Sequence, residues 1–327
     1  EEKSLRTKIP RLASIENKVS QLVRNQYEEN PYPRWVKTGL SYKPKTIKQV
    51  LQSIKLHMNF DSQKFSNKPD ILVAGCGTGQ HALSTASRFL NCNVLAIDLS
   101  LKSLSYAIRK TQELKITNIK YMQGDLLKID QLKRKFDIIE SVGVLHHLHE
   151  PLVGWRILVD RLRKGGLMNI GLYSDIAREH IVEARKQIAK KKYTSSSADI
   201  KKYREEIFNM NDNSNSIILK VLDSTDFYSM SACRDLLFHI QEHRFTLLQI
   251  DAALNNLGLK FLGFELKQSW AKSKFFKLYP EKNTQASLSL WHQFEIKYPN
   301  AFRGMYQFWV QKILLRKYSA KTYYKHY

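Results

Sequence analysis

The chain has 327 residues, of which 43% are hydrophobic and 25% are charged, a composition typical of a globular protein that buries a core. It has no run of about 18 apolar residues, so the sequence predicts no transmembrane helix and no membrane partner. The polar N-terminus has no initiator Met and no apolar signal core, and three scattered cysteines form no C-x-x-C pair. We therefore expect a piece of a cytoplasmic protein without a disulfide scaffold.

A large excess of basic residues is the most unusual feature of the composition. Lys and Arg number 53 against 30 Asp and Glu, which gives a formal net charge of +23. Such an excess indicates nucleic acid or another anionic partner when the basic residues share one face. Here they are spread along the chain, with dense runs only at 186–192, 201–202 and 312–325. Composition bias is the favoured explanation, and a nucleic-acid partner is left open.

Residues 1–68 are predicted to form an N-terminal helical segment that acts as a lid. One helix is predicted over residues 1–26 because apolar residues recur at helical spacing, at Leu12, Ile15, Val19 and Leu22. A second helix is predicted over residues 44–57. The stretch between them contains two prolines and three aromatic residues. We expect it to close over a ligand through Tyr27, Tyr32, Arg34 and Trp35, and a packed loop is the alternative.

Residues 69–174 alternate between short apolar strands and helical patterns. The predicted strands cover residues 71–74, 93–99, 119–122, 136–144 and 167–172. Helices are predicted over 81–90, 101–114 and 152–162. Parallel neighbouring strands need such helical crossovers, so this pattern predicts a doubly wound α/β sheet that is mostly parallel.

Residues 175–245 interrupt the alternation and are predicted to form a helical insertion. Helices are expected over 176–192 and 199–210, with an Asn/Ser-rich break at 211–216. The insertion follows the fifth strand at the carboxyl edge of the sheet, where ligands bind in open α/β folds. We therefore interpret it as a substrate cap, and a purely structural helix pair is the alternative. Its aromatic and basic residues Tyr228 and Arg234 are predicted substrate contacts.

Residues 246–315 are predicted to complete the sheet. A helix over 246–257 ends at Gly258, which suits a left-handed helix C-cap. Strand six is expected at 260–266, a helical excursion at 270–299, and an antiparallel seventh strand at 305–312. The last residues, 316–327, form a basic tail that we expect to fray.

The first strand runs directly into Gly75-Cys76-Gly77-Thr78-Gly79, and a helical pattern follows. Glycines at a strand-to-helix turn let a ligand approach the backbone N–H groups at the positive end of a helix. In the dinucleotide fingerprint the last glycine would occupy the position of Gln80. This departure disfavours an NAD-linked oxidoreductase.

This Gly75-x-Gly77-x-Gly79 pattern, with Asp98 at the end of the next strand, resembles the first motif of class I S-adenosylmethionine (SAM) methyltransferases. The stretch Glu140–His149 resembles the fourth motif of the same family. The resemblance covers about residues 70–174 and implies SAM as the cofactor. It implies that the glycines approach the methionine part, that Asp98 binds the ribose, and that Asp125 with Leu126 contacts the adenine. Neighbours expected in the same pocket are Cys76, Leu99 and Val142.

Two further features of the sequence, one departure from the motif and one closer similarity, bear on this resemblance. The family usually carries an acidic residue two positions before the first glycine, where this chain has Val73, so another residue must supply that carboxylate. The segments 27–35 and 234–245 resemble bacterial methyltransferase domains that follow tetratricopeptide repeats. That resemblance implies a repeat region before Glu1 in the full-length protein.

Histidines provide the candidate catalytic bases. His146 and His147 follow the fourth strand, and Tyr173 follows the fifth. His239 and His243 match an H-x-x-E-H zinc-protease pattern, in which both histidines would share one helix face. No third ligand is identifiable, so we predict no metal.

The sequence as a whole favours a SAM-dependent methyltransferase that modifies a protein or small molecule by in-line displacement. A nucleic-acid methyltransferase and a non-catalytic module with the same fold are the alternatives. Val73 is the only residue that directly supports the non-catalytic module.

Overall fold

The computed structural model describes residues 1–61, 63–210, 217–266, 268–281 and 284–313. The strands in this part of the chain are β1 Asp70–Ala74, β2 Asn93–Asp98, β3 Ile119–Gln123, β4 Phe136–Val142, β5 Leu162–Leu172, β6 Leu259–Phe264 and β7 Tyr306–Lys312. The helices before β5 are α1 Glu2–Lys8, α2 Lys18–Glu29, α3 Ile47–Ser53, α4 Gln80–Arg88, α5 Leu101–Glu113 and α6 Pro151–Arg161. Those after it are α7 Glu179–Lys190, α8 Ser197–Phe208, α9 Met230–Phe238, α10 Leu247–Leu257, α11 Ser269–Leu278 and α12 Leu288–Lys297.

The seven strands form one sheet in the order β3-β2-β1-β4-β5-β7-β6. Strands β1 to β5 pair in parallel, and β7 is antiparallel to both of its neighbours. This confirms the predicted mostly parallel, doubly wound α/β sheet with an antiparallel seventh strand. The chain reverses its strand order between β1 and β4, and the carboxyl ends of these strands create a crevice there.

The two faces of the sheet bury separate apolar clusters. In β1, Leu72 and Ala74 point into one cluster, and Ile71 and Val73 point into the other. This alternation is the period-2 pattern of a strand, and both sets are apolar because helices cover both faces. The strand is therefore held rigidly on both sides, and it fixes the position at which the glycine loop begins.

The predicted single helix over residues 1–26 is wrong. Helix α1 ends at Lys8, and α2 begins only after Asn17, whose side chain accepts a hydrogen bond from the Ser20 backbone N–H. Pro10 disfavours helical backbone at Ile9, and the intervening chain is extended instead. There the Leu12 N–H donates to the Gln123 carbonyl and the Gln123 N–H donates to the Pro10 carbonyl, so this segment covers an exposed edge of the sheet at β3.

The insertion between β5 and α10 has an apolar cluster of its own. Helices α7, α8 and α9 share this cluster, which includes the fully buried Tyr203, Val221 and Phe227. We call residues 175–245 the cap. The predicted break at 211–216 lies outside the described residues.

Several predicted bounds shift. Helix α3 covers only part of 44–57, β4 ends at Val142, and α7 is shorter than 176–192. Strand β5 begins earlier, at Leu162, with a register shift opposite Phe136. Strand β6 ends at Phe264. Helix α10 ends at Gly258 in the left-handed conformation, as predicted. The basic tail lies outside the described residues, as do residues 314 and 315.

No helix in the described ranges has the length and apolarity to cross a bilayer.

Candidate cofactor and acceptor site

The glycine loop connects β1 to α4 through a backbone that only glycine tolerates. Gly77 has a φ of +52°, and a Cβ atom on it would lie 2.6 Å from the carbonyl oxygen of Tyr32. At Gly79, with a φ of +86°, a Cβ atom would lie 2.6 Å from the Ala107 side chain. The absence of these two side chains therefore brings the N-terminal segment and α5 against the loop.

Asp98 holds the glycine loop from the end of β2. One carboxylate oxygen accepts a hydrogen bond from the Gly77 N–H at 2.8 Å, and the other accepts one from the Ser100 N–H at 2.9 Å. Burial raises the pKa of this carboxyl, and the two backbone N–H groups oppose that rise. The oxygens have further lone pairs for a ligand hydroxyl.

Asp125 occupies the corresponding position after β3. Its carboxylate accepts a hydrogen bond from the Leu127 N–H at 2.9 Å and begins a short 3₁₀ helix. The side chain is buried beside Leu126 and Ile129. A carboxylate between apolar walls suits the amino edge of a flat heterocycle.

These strand ends enclose a cavity of about 360 Å³, within the range of small-molecule sites. Of the nine residues predicted to bind the cofactor, eight line it, namely Gly75, Cys76, Gly77, Asp98, Leu99, Asp125, Leu126 and Val142. Gly79 does not line the cavity because it serves as the N-cap of α4. The structure therefore brings the sequence-predicted residues together from four separate strands.

The N-terminal segment closes one side of this cavity. Ser20 and Val23 of α2 line it, as do Tyr27 and Tyr32. Trp35 does not line the cavity, because its indole N–H donates to the Thr78 hydroxyl at 3.1 Å and so ties the segment to the glycine loop. Arg34 is exposed and lies outside the cavity. Arg34 and Trp35, two of the predicted substrate residues, therefore do not line the cavity.

Only one of the four candidate histidines lines this cavity. His147 does so, and its Nδ1–H donates to the Gln241 carbonyl at 2.7 Å, while burial lowers its pKa to about 4. His146 is completely buried and stacks on Tyr173 with ring centroids 3.9 Å apart. Burial also lowers the pKa of His146 and His239 well below the usual range. These buried histidines are neutral at pH 7.

The H-x-x-E-H stretch is not helical, contrary to the geometry that a zinc pair would need. Helix α9 ends at Phe238, and His239 already has extended backbone. His239 stacks on His147 at 3.6 Å, and the side chain of His243 contacts Gln241 at 2.9 Å. Among the described residues, no group of three or more His, Cys, Asp or Glu side chains could hold a metal ion.

Two predicted substrate contacts in the cap lie away from the cavity. Tyr228 is exposed, and its hydroxyl donates to the Leu222 carbonyl at 2.9 Å. Arg234 is buried and pairs with Glu29 at 3.7 Å. Tyr228 makes its contact within the cap, and Arg234 connects the cap to α2.

A second cavity of about 520 Å³ adjoins the first, between the sheet edge and the cap. Six residues line both cavities, namely Tyr32, His81, Val142, Tyr173, Asp235 and Met305. A molecule in the second cavity would therefore share a wall with a molecule in the first. This arrangement allows two ligands to meet at the carboxyl edge of the sheet.

Comparison with known proteins identifies the family. Residues 71–166 match the model of a methyltransferase domain. An uncharacterised protein of Synechococcus sp. is 29% identical over 238 residues, which are 70% of this chain and 56% of that protein. A tRNA (guanine-N(7)-)-methyltransferase of Rubrobacter xylanophilus is 34% identical over 102 residues, covering 31% of this chain and 42% of that enzyme.

The solved structure of PKMT2 from Rickettsia typhi in complex with AdoHcy has the same fold, with a TM-score of 0.58 and 16% identity. It covers 85% of this chain and 54% of the Rickettsia chain, so the present chain spans about half the length of its first relatives. The matched domain contains the glycine loop, Asp98 and Asp125. Residues 71–166 therefore match a methyltransferase domain, and the fold is that of the class I SAM-dependent methyltransferases.

The residues that line the cavity fit SAM. The Gly77 cradle leaves room that a Cβ atom would fill, and the carboxylates of Asp98 and Asp125 would be available to the ribose hydroxyls and to the amino edge of the adenine. Asp98 and Asp125 end adjacent strands, β2 and β3, which pair in register up to Asp98 and Gln123. The resemblance to tetratricopeptide-linked domains stays a prediction, as does the repeat region.

Sequence reasoning missed two charged residues at this site. In β4, Glu140 is paired in register with Val73, the residue that replaces the usual carboxylate of the methyltransferase motif. Glu140 accepts a hydrogen bond from His81, which lines both cavities. Asp235 in α9 also lines both cavities. The only sequence signals for these residues were a histidine beside the glycine loop and a dense polar cluster in the cap.

Proposed function

We propose that this protein transfers the methyl group of SAM to an acceptor that enters the second cavity. The observation that carries the proposal is the wall shared by the two cavities, because it lets an acceptor approach the cofactor from the side of the cap. Tyr32 and Met305 belong to this wall, one from the N-terminal segment and one from the residue before β7.

The bound cofactor supplies an activated methyl group on a sulfonium. The work left to the chain is to align the acceptor with the methyl–sulfur axis and to exclude water. The glycine loop and Asp98 fix one end of the cofactor, and Tyr32 and Tyr173 limit the space in front of it. In-line displacement then needs few reactive side chains, which agrees with the neutral, stacked histidines behind the site.

A protein or small molecule is a better acceptor for this cleft than nucleic acid. The relatives bear names with different acceptors, including a tRNA guanine and (S)-coclaurine, so their names do not decide between these classes. Four acidic side chains line the second cavity, namely Asp223, Asp226, Asp235 and Glu265. Asp223 is paired with Arg303 and Glu265 with Arg88, so the opposition to a phosphate backbone comes chiefly from the buried Asp235, despite the overall charge of +23.

Calorimetric titration with SAM and with S-adenosylhomocysteine tests the cofactor part of this proposal. Wild-type protein should bind both at micromolar concentrations. Asp98→Ala should weaken binding at least tenfold, because it removes the carboxylate that faces the ribose and holds the Gly77 N–H. Asp251→Ala, at an exposed position of α10, is the matched control and should bind like wild type.

The result of this titration distinguishes an active enzyme from a non-catalytic module. If wild-type protein binds neither compound, the enzyme proposal fails and the non-catalytic module gains support. If binding is seen, methyl transfer from radiolabelled SAM to candidate acceptors measures activity directly. A nucleic-acid acceptor would reveal itself by a steep loss of activity with added salt.

A further inference from the structure

Three tyrosines and two aspartates meet where the two cavities join. The Tyr27 hydroxyl donates to Asp235 at 2.7 Å, and the Tyr32 hydroxyl donates to Asp226 at 3.4 Å. Tyr173 stands at the same wall. The N-terminal segment, the end of β5 and the cap therefore each contribute an aromatic ring or a carboxylate to one place.

Asp235 is only 6% exposed, yet it faces both cavities. Across the described residues it forms no ion pair, and its hydrogen-bonding partner is the neutral hydroxyl of Tyr27. Burial raises the pKa of Asp235 to about 7, although the Tyr27 hydrogen bond opposes the rise. Arg178 opposes this rise by its charge, but a buried carboxylate that forms no ion pair is still costly, and a ligand that brought positive charge would offset that cost.

The cations near this position are already paired. Arg178 lies over the Tyr173 ring at 3.7 Å and forms an ion pair with the buried Glu242 at 2.9 Å. In the second cavity, Arg303 pairs with Asp223 at 3.1 Å. Neither of these two arginines forms an ion pair with Asp235.

We propose, on the basis of the proposed function, that the methyl acceptor is a protonated amine whose ammonium group binds at Asp235 between the rings of Tyr27, Tyr32 and Tyr173. Aromatic faces and a carboxylate are the two groups that recognise an alkylammonium in proteins. An anionic acceptor would meet two carboxylates at the same place, and a neutral alcohol would leave Asp235 without a counter-charge.

The same carboxylate can accept the proton that must leave before transfer. A proton passes from the ammonium to Asp235, and the freed nitrogen lone pair forms a bond to the methyl carbon. The carbon–sulfur bond breaks, and its electron pair stays on sulfur, which becomes a neutral thioether. The product is the methylated ammonium, and Asp235 returns its proton to water. Asp235 is thus the general base as well as the binding group.

Binding to the protein saturated with S-adenosylhomocysteine tests the inference. The probes are n-butylamine, its neutral analogue n-butanol, its anionic analogue butyrate, and a capped lysine-containing peptide, observed by NMR titration. The two amines should bind at least tenfold more tightly than butanol and butyrate. Whichever of butylamine and the peptide binds with the higher affinity then indicates whether the ammonium belongs to a free amine or to a lysine side chain.

Asp235→Asn is the decisive variant because it keeps the shape and removes the charge. It should lose at least tenfold in butylamine affinity while binding S-adenosylhomocysteine like wild type, and Asp251→Asn should change neither. With a radiolabelled methyl donor, the rate of methyl transfer to the preferred amine should rise with pH as Asp235 ionises near pH 7. This increase with pH should be absent in Asp235→Asn. The charged and titratable groups that surround Asp235 are Tyr27, Tyr32, Tyr173, Asp226, Glu242, Arg178 and Arg185.

The inference is overturned if butanol or butyrate binds as tightly as the amines, if no amine binds to the cofactor-product complex at 10 mM, or if Asp235→Asn binds butylamine normally. Failure of wild-type protein to bind S-adenosylhomocysteine at all would instead refute the proposed function. The two failures are therefore distinguishable in one series of titrations.

Discussion

His81 and Glu140 form an ion pair beside the glycine loop, with the His81 Nε2 atom 2.9 Å from a Glu140 carboxylate oxygen. The Thr85 hydroxyl donates to the same oxygen, and the Glu140 side chain is 1% exposed, against 34% for His81. Because Glu140 is paired in register with Val73, the chain keeps a carboxylate next to the position where the methyltransferase motif usually has one.

The pH dependence of stability should reveal this ion pair. Burial favours the neutral forms, but the charge of each partner and their hydrogen bond outweigh it, so the pKa of His81 is raised and that of Glu140 is lowered. The contribution of His81 to the free energy of unfolding is complete below about pH 6.5, and it is lost as the pH rises through the raised pKa of His81 in the folded protein. The contribution of Glu140 is complete above about pH 4.5, and it is lost as the pH falls through the lowered pKa of Glu140 in the folded protein.

Glu140→Gln should therefore reduce the free energy of unfolding most between about pH 5 and 6.5, and less on either side. We expect a loss of about 2 kcal/mol, at the low end for a broken ion pair because His81 is partly exposed. Urea titration at several pH values measures this. The matched control is Glu16→Gln, which removes an exposed carboxylate paired with Lys128 and should leave the free energy of unfolding close to the wild-type value. A loss that does not vary with pH would contradict the ion-pair explanation.

Gly77→Ala should disrupt the cofactor site more than the fold. The new Cβ atom would lie 2.6 Å from the Tyr32 carbonyl, at a φ of +52° that L-residues rarely adopt. We expect a loss of about 1–3 kcal/mol in unfolding free energy and at least a tenfold weaker SAM affinity. Thermal melting and calorimetry measure the two effects. Gly39→Ala is the control, since nothing lies within 4 Å of its Cβ position, and equal effects of the two substitutions would refute the steric reasoning.

The fold was predictable because its signals are local. Strand β1 is a short apolar run that ends at Gly75, and the capping glycine Gly258 ends α10, so the alternation of strands and helices could be followed along the chain. The N-terminal prediction failed because Leu12 and Ile15 continue the helical spacing of α2 backwards, although the chain after Pro10 pairs with the edge strand β3 instead.

The cofactor side of the site was predictable for the same reason, since Asp98 and Asp125 follow strands directly. The acceptor side was not predictable, because it depends on contacts between distant segments. Tyr27 and Asp235 are 208 positions apart, and only the folded chain places their oxygens 2.7 Å apart. Arg34 and Tyr228 have suitable chemistry in suitable segments, but the fold turns both of them to solvent.

The last prediction concerns the link between the N-terminal segment and the glycine loop. Trp35→Phe keeps an aromatic ring but removes the indole N–H that donates to Thr78, whose own hydroxyl donates to the Pro33 carbonyl at 2.6 Å. Because Tyr32 and Pro33 line the cofactor cavity, loosening this contact should raise the dissociation rate of S-adenosylhomocysteine about threefold to tenfold. Stopped-flow displacement measures that rate. Trp270→Phe, at a partly exposed position of α11, is the matched control and should leave the rate unchanged. If Trp35→Phe releases the ligand no faster than the control, this contact does not help to retain the cofactor.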